Sequence, residues 1–268
     1  MGTSTDYKSP SGTNWRGHKS RVTHAASSGT NDSKKLEKVV GSFLSAAGAP
    51  ATGTGGTGTG SGSGGGGGSG GRGGGGRSGG GSRGGVGGRA GRSAARRLGS
   101  FAYTLGSQGL APALQELGLG NLIGSNAESI QDALVDVLCE DGGLLDEGDA
   151  RAAMDDSLVE LLDGAQNYQD VETALTDSLS AANLREVLYR FFGNYIYRQL
   201  LRHHYERLLR AQGQQSTEDF FQEVKSTIRS SIDEFTTQNP APVLNWSTHD
   251  VEGFITQVQE DIFDIFQA

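Results

Sequence analysis

The sequence predicts an all-α fold: a C-terminal helical bundle of about eight helices, preceded by a long disordered Gly/Arg-rich N-terminal region. Three observations predict it. Beyond residue 93 apolar side chains recur at steps of three and four, and no strand-like alternation of any length occurs. Charge divides the chain, with 14 Lys and Arg against 3 Asp and Glu in residues 1–100, and 9 against 28 in residues 101–268. Between Ala51 and Arg92, 25 of 42 residues are glycine, which leaves too little apolar surface to offset the entropy of folding. These shifts mark a polar tail over 1–33, a short amphipathic helix over 34–48, a flexible tether over 49–92 and an acidic helical domain over 93–268.

The tail, MGTSTDYKSPSGTNWRGHKSRVTHAASSGT, is almost free of aliphatic residues, and its aromatics are Tyr7 and Trp15. It reads equally as a solvated tail or as a segment that a partner captures, with Trp15 as the anchor. Removal of Met1 would leave the small, unhindered amine of Gly2. Asp6 stands where a myristoylation signal needs Ser or Thr, so acylation is disfavoured. Asp32 or Ser33 can cap the helix Lys34–Ala47, which aligns Leu36, Val39, Val40, Phe43 and Leu44 on one face. A helix this short is marginal alone, so it is expected to dock on the domain or on a partner.

The glycine tract is punctuated by Arg72, Arg77, Arg83, Arg89 and Arg92. Arginines without nearby acids can contact nucleic-acid phosphates, but the aromatics that would stack bases are missing. A soluble tether is the favoured reading, with a mean reach of roughly 35 Å for some 40 Gly-rich residues.

In the acidic domain, Ala95, Leu98, Phe101, Ala102 and Leu105 mark a helix ended by Gly106, and Gly109 to Leu117 a short one. Ser125 with Glu128 reads as a capping box for a helix to about Glu140. Asp146, Glu147 and Asp149 are expected to favour the N-terminus of a helix from Glu147 to Leu162, and Asp170 to open another at Val171. The longest apolar pattern follows, Asn183 to Ala211, a helix of about 43 Å at ~1.5 Å per residue. Its stripe shifts by roughly a quarter turn at Gly193. Either the helix bends there, or Arg198 and Arg202 point partly inward and need carboxylate partners. Ser216 opens a helix through about Thr237, Pro240 and Pro242 break it, and Ser247 caps the last one.

The chemistry inventory is thin. No Walker loop, nucleophile elbow or metal-ligand cluster occurs, so no catalytic residue, metal or cofactor is assigned and a non-enzymatic role is expected. Cys139 is the sole cysteine and has acidic neighbours, which suits a structural thiol in a reducing cytoplasm. His203 and His204 are adjacent, so they face different directions and make a poor metal pair. No apolar run nears the ~20 residues that span a bilayer, so a cytoplasmic protein is expected.

Several segments together resemble a known family. The opening MGTSTDY with SPSGTNW, the Lys34–Ala47 helix, the Arg-punctuated glycine tract and SQGLAPALQELGL are similar to the Qat anti-phage system associated protein QatB family. The resemblance implies a helical adaptor in a bacterial four-protein defence system. Implied partners are a large ATPase, a TatD-like DNase and a QueC-like protein, similar to 7-cyano-7-deazaguanine synthase. The QueC-like partner would capture the tail through Gly2, Thr3, Ser4, Tyr7 and Trp15, with Gly2 a candidate for modification by a deazaguanine. Nucleic-acid binding through the arginines of the tract is the alternative.

Overall fold

A single helix from Leu184 to Gln212 carries the architecture. The computed structural model describes residues 13–28, 32–47, 88–139, 143–240 and 251–267. Among them are ten α-helices and no strand: α1 (Thr13–Ser27), α2 (Ser33–Ala47), α3 (Arg89–Gln108), α4 (Leu110–Glu116), α5 (Ala127–Leu138), α6 (Leu145–Leu161), α7 (Tyr168–Ser178), α8 (Leu184–Gln212), α9 (Gln214–Gln238) and α10 (Val251–Ile265). Eight of these, α3 to α10, build the acidic domain, and a 3-10 turn at Gly120–Leu122 links α4 to α5.

The central helix α8 does not break at Gly193. Every residue from Phe191 to Tyr197 is buried, because α6 and α9 pack along α8 while α3 and α10 close its remaining sides. This enclosure accounts for the shift in the apolar stripe: a helix covered all round needs no single face. Gly193 sits where α9 approaches most closely, and a Cβ there would lie 2.6 Å from Ile232 Cδ1.

Helix ends follow local chemistry with some changes of residue. Asn126, not Ser125, caps α5, its side chain accepting from the Ser129 N–H at 2.9 Å. Asn167 caps α7 by accepting from the Asp170 N–H, while the Asp170 carboxylate accepts from the Gln166 and Asn167 N–H groups. α3 runs through Gly106 and ends at Gly109 (φ 90), where the left-handed conformation suits glycine. α9 begins at Gln214, directly after Gly213 (φ 83), so Ser216 lies within the helix. Ser247 lies outside the described residues.

The largest difference from expectation is at the N-terminus. Residues 13–27, read as tail, form α1, which pairs with α2 as a hairpin against α8 and α9, while Phe266 and Gln267, just past α10, reach α2. Arg89 and Arg92, read as tether, lie in the first turn of α3. Gly2, Thr3, Ser4, Tyr7, Arg72, Arg77 and Arg83 lie outside the described residues.

Candidate functional site

The polar side chains of α8 meet partners along its length. Arg185 and Tyr189 converge on Asp261 of α10, the arginine at 2.7 Å. Arg198 grips Asp156 of α6 through two hydrogen bonds of 2.8 and 2.7 Å. Arg202 binds Asp149 of the same helix at 2.7 Å. Both arginines are thus inward-facing and matched to carboxylates. Burial pushes the Asp149 carboxyl up to about 6, and Arg202 opposes that shift.

Asp146 stands in the first turn of α6 and also serves another helix. Its carboxylate accepts from the Ala90 N–H at 3.2 Å, from Gln199 Nε2 at 3.2 Å and from the Tyr195 hydroxyl. It therefore caps α3 from a distance in sequence, where Gly88 and Gly91 leave room for Asp146 and the Tyr195 ring. Glu147, beside it in the first turn, accepts from the Leu144 N–H at 2.8 Å. Cys139 is buried at the end of α5, and burial pushes its thiol up to about 11, outweighing Arg151 and Arg97.

A half-open cavity of about 250 Å³ lies between α6, α8 and α9, lined in part by Asn194, Tyr197, Gln222 and Ser226. The charges around it are matched: Arg190 to Glu186, Arg229 to Glu160. Lys225 lies 5.6 Å from the Tyr197 ring centre.

The seat of the hairpin on α8 has a different character. His18 of α1 and His204 of α8 are each 1% exposed. Their Nε2 atoms are 2.8 Å apart, and His18 Nδ1 is 2.8 Å from Ser42 Oγ of α2. Ser42 donates its hydroxyl proton to the Val39 carbonyl at 2.9 Å, so its oxygen accepts from His18 Nδ1–H. His18 Nε2 then accepts from His204 Nε2–H, and His204 Nδ1 is left buried without a partner. Both rings are neutral in this chain of bonds. Trp15 closes the outside, its ring centre 5.1 Å from that of His203 and 5.8 Å from Phe43. Arg207 completes the seat by donating to the Lys19 carbonyl and to Thr23 Oγ1, both at 2.8 Å.

Trp15 is therefore engaged within the chain. Sequence reasoning missed α1 because one member of its buried stripe is polar: Trp15, His18, Val22 and Ala25 stand three, four and three residues apart. Counting His18 as apolar restores the helical period. His203 and His204 do diverge, the second buried and the first half-buried.

A family model for the Qat anti-phage system associated protein QatB matches residues 79–266. The chain belongs to this family. QatB-family membership makes it a component of Qat anti-phage defence. The QatB match takes in α3 to α10 and leaves the α1–α2 hairpin outside. No curated protein and no solved structure matches the chain. Among the described residues no helix is long and apolar enough to cross a membrane.

Proposed function

We propose that the chain is a non-enzymatic helical adaptor of Qat defence, acting in the cytoplasm, whose N-terminal tail is captured by the QueC-like partner. Gly2 is the candidate acceptor of a deazaguanine, and Thr3, Ser4 and Tyr7 are the residues nearest to it that the partner would read. The ATPase and the TatD-like DNase are the further partners of the assembly. The seating of α1 on α8 is the observation that supports this reading most. It roots the tail on the body, so ten residues separate Gly2 from the start of α1, a distance of eleven residue steps. At ~3.3 Å per residue the tail tip stays within about 36 Å of that root. Trp15 contributes by holding the root, through its packing on Phe43 and His203.

Intact-mass measurement of the chain co-expressed with its QueC-like neighbour tests the modification. An added mass on the N-terminal peptide is the expected result, and an unmodified Gly2 beside an active partner would remove the claim. The nucleic-acid alternative rests on the arginines of the tract. A salt titration with a version lacking 51–92 decides it, because unchanged affinity excludes the tract.

A further inference from the structure

The two buried imidazoles that join α1 to α8 share one N–H···N contact, which fails once the accepting nitrogen is protonated. At 2.8 Å between Nε2 atoms, one ring must donate and the other accept. A proton added to His18 Nε2 would set two N–H groups against each other. A proton added to His204 Nδ1 would create a buried charge with no acceptor, since that atom has no partner. His204 also borders a void between Val22, Val39, Leu200, Phe220, Phe221 and Val224 that has no room for a water.

The surroundings offer no relief. The charged groups acting on the pair are Lys19 and Arg21 from α1, and His203 and Arg207 from α8, and no carboxylate is among them. α2 and α9 contribute Ser42 and apolar side chains around the two rings, Phe43 beside His18 and Phe220, Phe221 and Val224 near His204. The same field argues against a metal cation between the rings.

We propose that the His18–His204 pair is a proton-sensitive latch, and that mild acid releases the α1–α2 hairpin from the body. Release moves the root of the N-terminal tail from α1 to Gly88. The chain between Gly2 and its root then lengthens from ten residues to more than eighty. The effect of this on tail presentation rests on the adaptor reading, whereas the latch stands on its own.

The direction follows from proton binding. In the docked state burial holds His18 at about 3 and His204 at about 2. Undocked, each loses the cover of its partner helix and rises toward its ordinary value of ~6.5. The docked state takes up fewer protons, so docking is strongest above pH 6.5. Below that it weakens about tenfold per histidine for each pH unit, until the docked values are reached. Between pH 7.5 and 5.5 the two histidines raise the opening constant by about 100-fold. His203, held at about 4 by burial, Arg202 and Lys19, adds up to a further ~10-fold.

The test uses the full chain with Trp246→Phe, which leaves Trp15 as the sole tryptophan. Urea titrations followed by Trp15 fluorescence give the opening constant at pH 7.5 and 5.5, with far-UV circular dichroism following all helices. The expected result is a rise of at least ~30-fold, with Trp15 responding before the bulk of the helices. A smaller rise, or coincidence of the two signals, overturns the latch. In His18→Leu/His204→Leu, which keeps the seat apolar, the rise should shrink to ~10-fold or less, and an undiminished rise overturns the proposal. If that variant fails to dock, imidazole ¹⁵N shifts of the unmutated pair decide. Rings that stay neutral while Trp15 is protected support the latch, and rings that titrate near 6.5 under protection refute it. No readout involves a partner, so failure of the latch and failure of the adaptor reading are told apart.

Discussion

Replacing Arg202 by methionine removes the cation beside Asp149, a carboxylate only 7% exposed. Breaking a buried ion pair commonly costs about 3–5 kcal/mol, because the remaining charge is stranded. Here the loss is capped, since Asp149 can take up a proton. With Arg202 present the carboxyl sits at about 6 against an ordinary 3.8. At pH 7.5 the ionised form is therefore favoured by only ~2 kcal/mol, and that is all the charge contribution the variant can forfeit. Lost hydrogen bonds and packing add about 1 kcal/mol at any pH. Arg202→Met should thus destabilise the domain by about 3 kcal/mol at pH 7.5 and about 1 kcal/mol at pH 5.5, where Asp149 is already largely protonated. The sign is fixed by the raised value: the folded state binds the extra proton, so acidification through 6 relieves the penalty. Urea denaturation at the two pH values reads it directly. Asp149→Leu/Arg202→Met should recover most of the loss, because neither partner is then stranded. A loss independent of pH, or no loss at pH 7.5, would refute the assignment of Arg202 to a structural pair.

Three further outcomes are expected. A Cβ at Gly41 would collide with the Phe266 carbonyl oxygen, so Gly41→Ala should loosen the hairpin selectively, with faster amide exchange over 33–47 than over α8. In Gly91→Ala the new methyl meets the Tyr195 ring at 2.9 Å, and since that ring is held by Asp146 the domain should lose about 1–3 kcal/mol in urea melts. The Cys139 thiol, pushed up to about 11 by burial, should resist a disulfide-exchange reagent at pH 8 until urea unfolds α5, and fast reaction in the native state would contradict its placement.

What the sequence disclosed and what it hid have physical reasons. The helices of the acidic domain were legible because Leu, Ile, Val and Phe recur there at helical spacing, and packing against α8 requires that spacing. Inward arginines were legible as well, because Arg198 and Arg202 interrupt an apolar stripe and a buried charge demands a partner. The choice between a bend and buried pairs was not, since it depends on Asp149 and Asp156 of another helix. The second role of Asp146 was hidden for a related reason: it lies in the first turn of α6, as its charge suggests, yet it also caps α3, 56 residues earlier. The hairpin seat was least legible. His18 and His204 are 186 residues apart, and each reads as polar until the other supplies its hydrogen bond.

Where α1 begins also decides how the adaptor role is best probed. A version starting at Ser33 would delete α1 along with the tail and strip the cover from His204, confusing loss of partner contact with loss of the seat. A version starting at Thr13 removes only the residues before the helix. The decisive measurement is co-purification of the QueC-like neighbour with the full chain and with this shorter one, after circular dichroism shows both equally folded. Capture by the full chain and none by the shorter one is the expected result. Equal capture by both would mean that the partner grips the body, and the tail would lose its role.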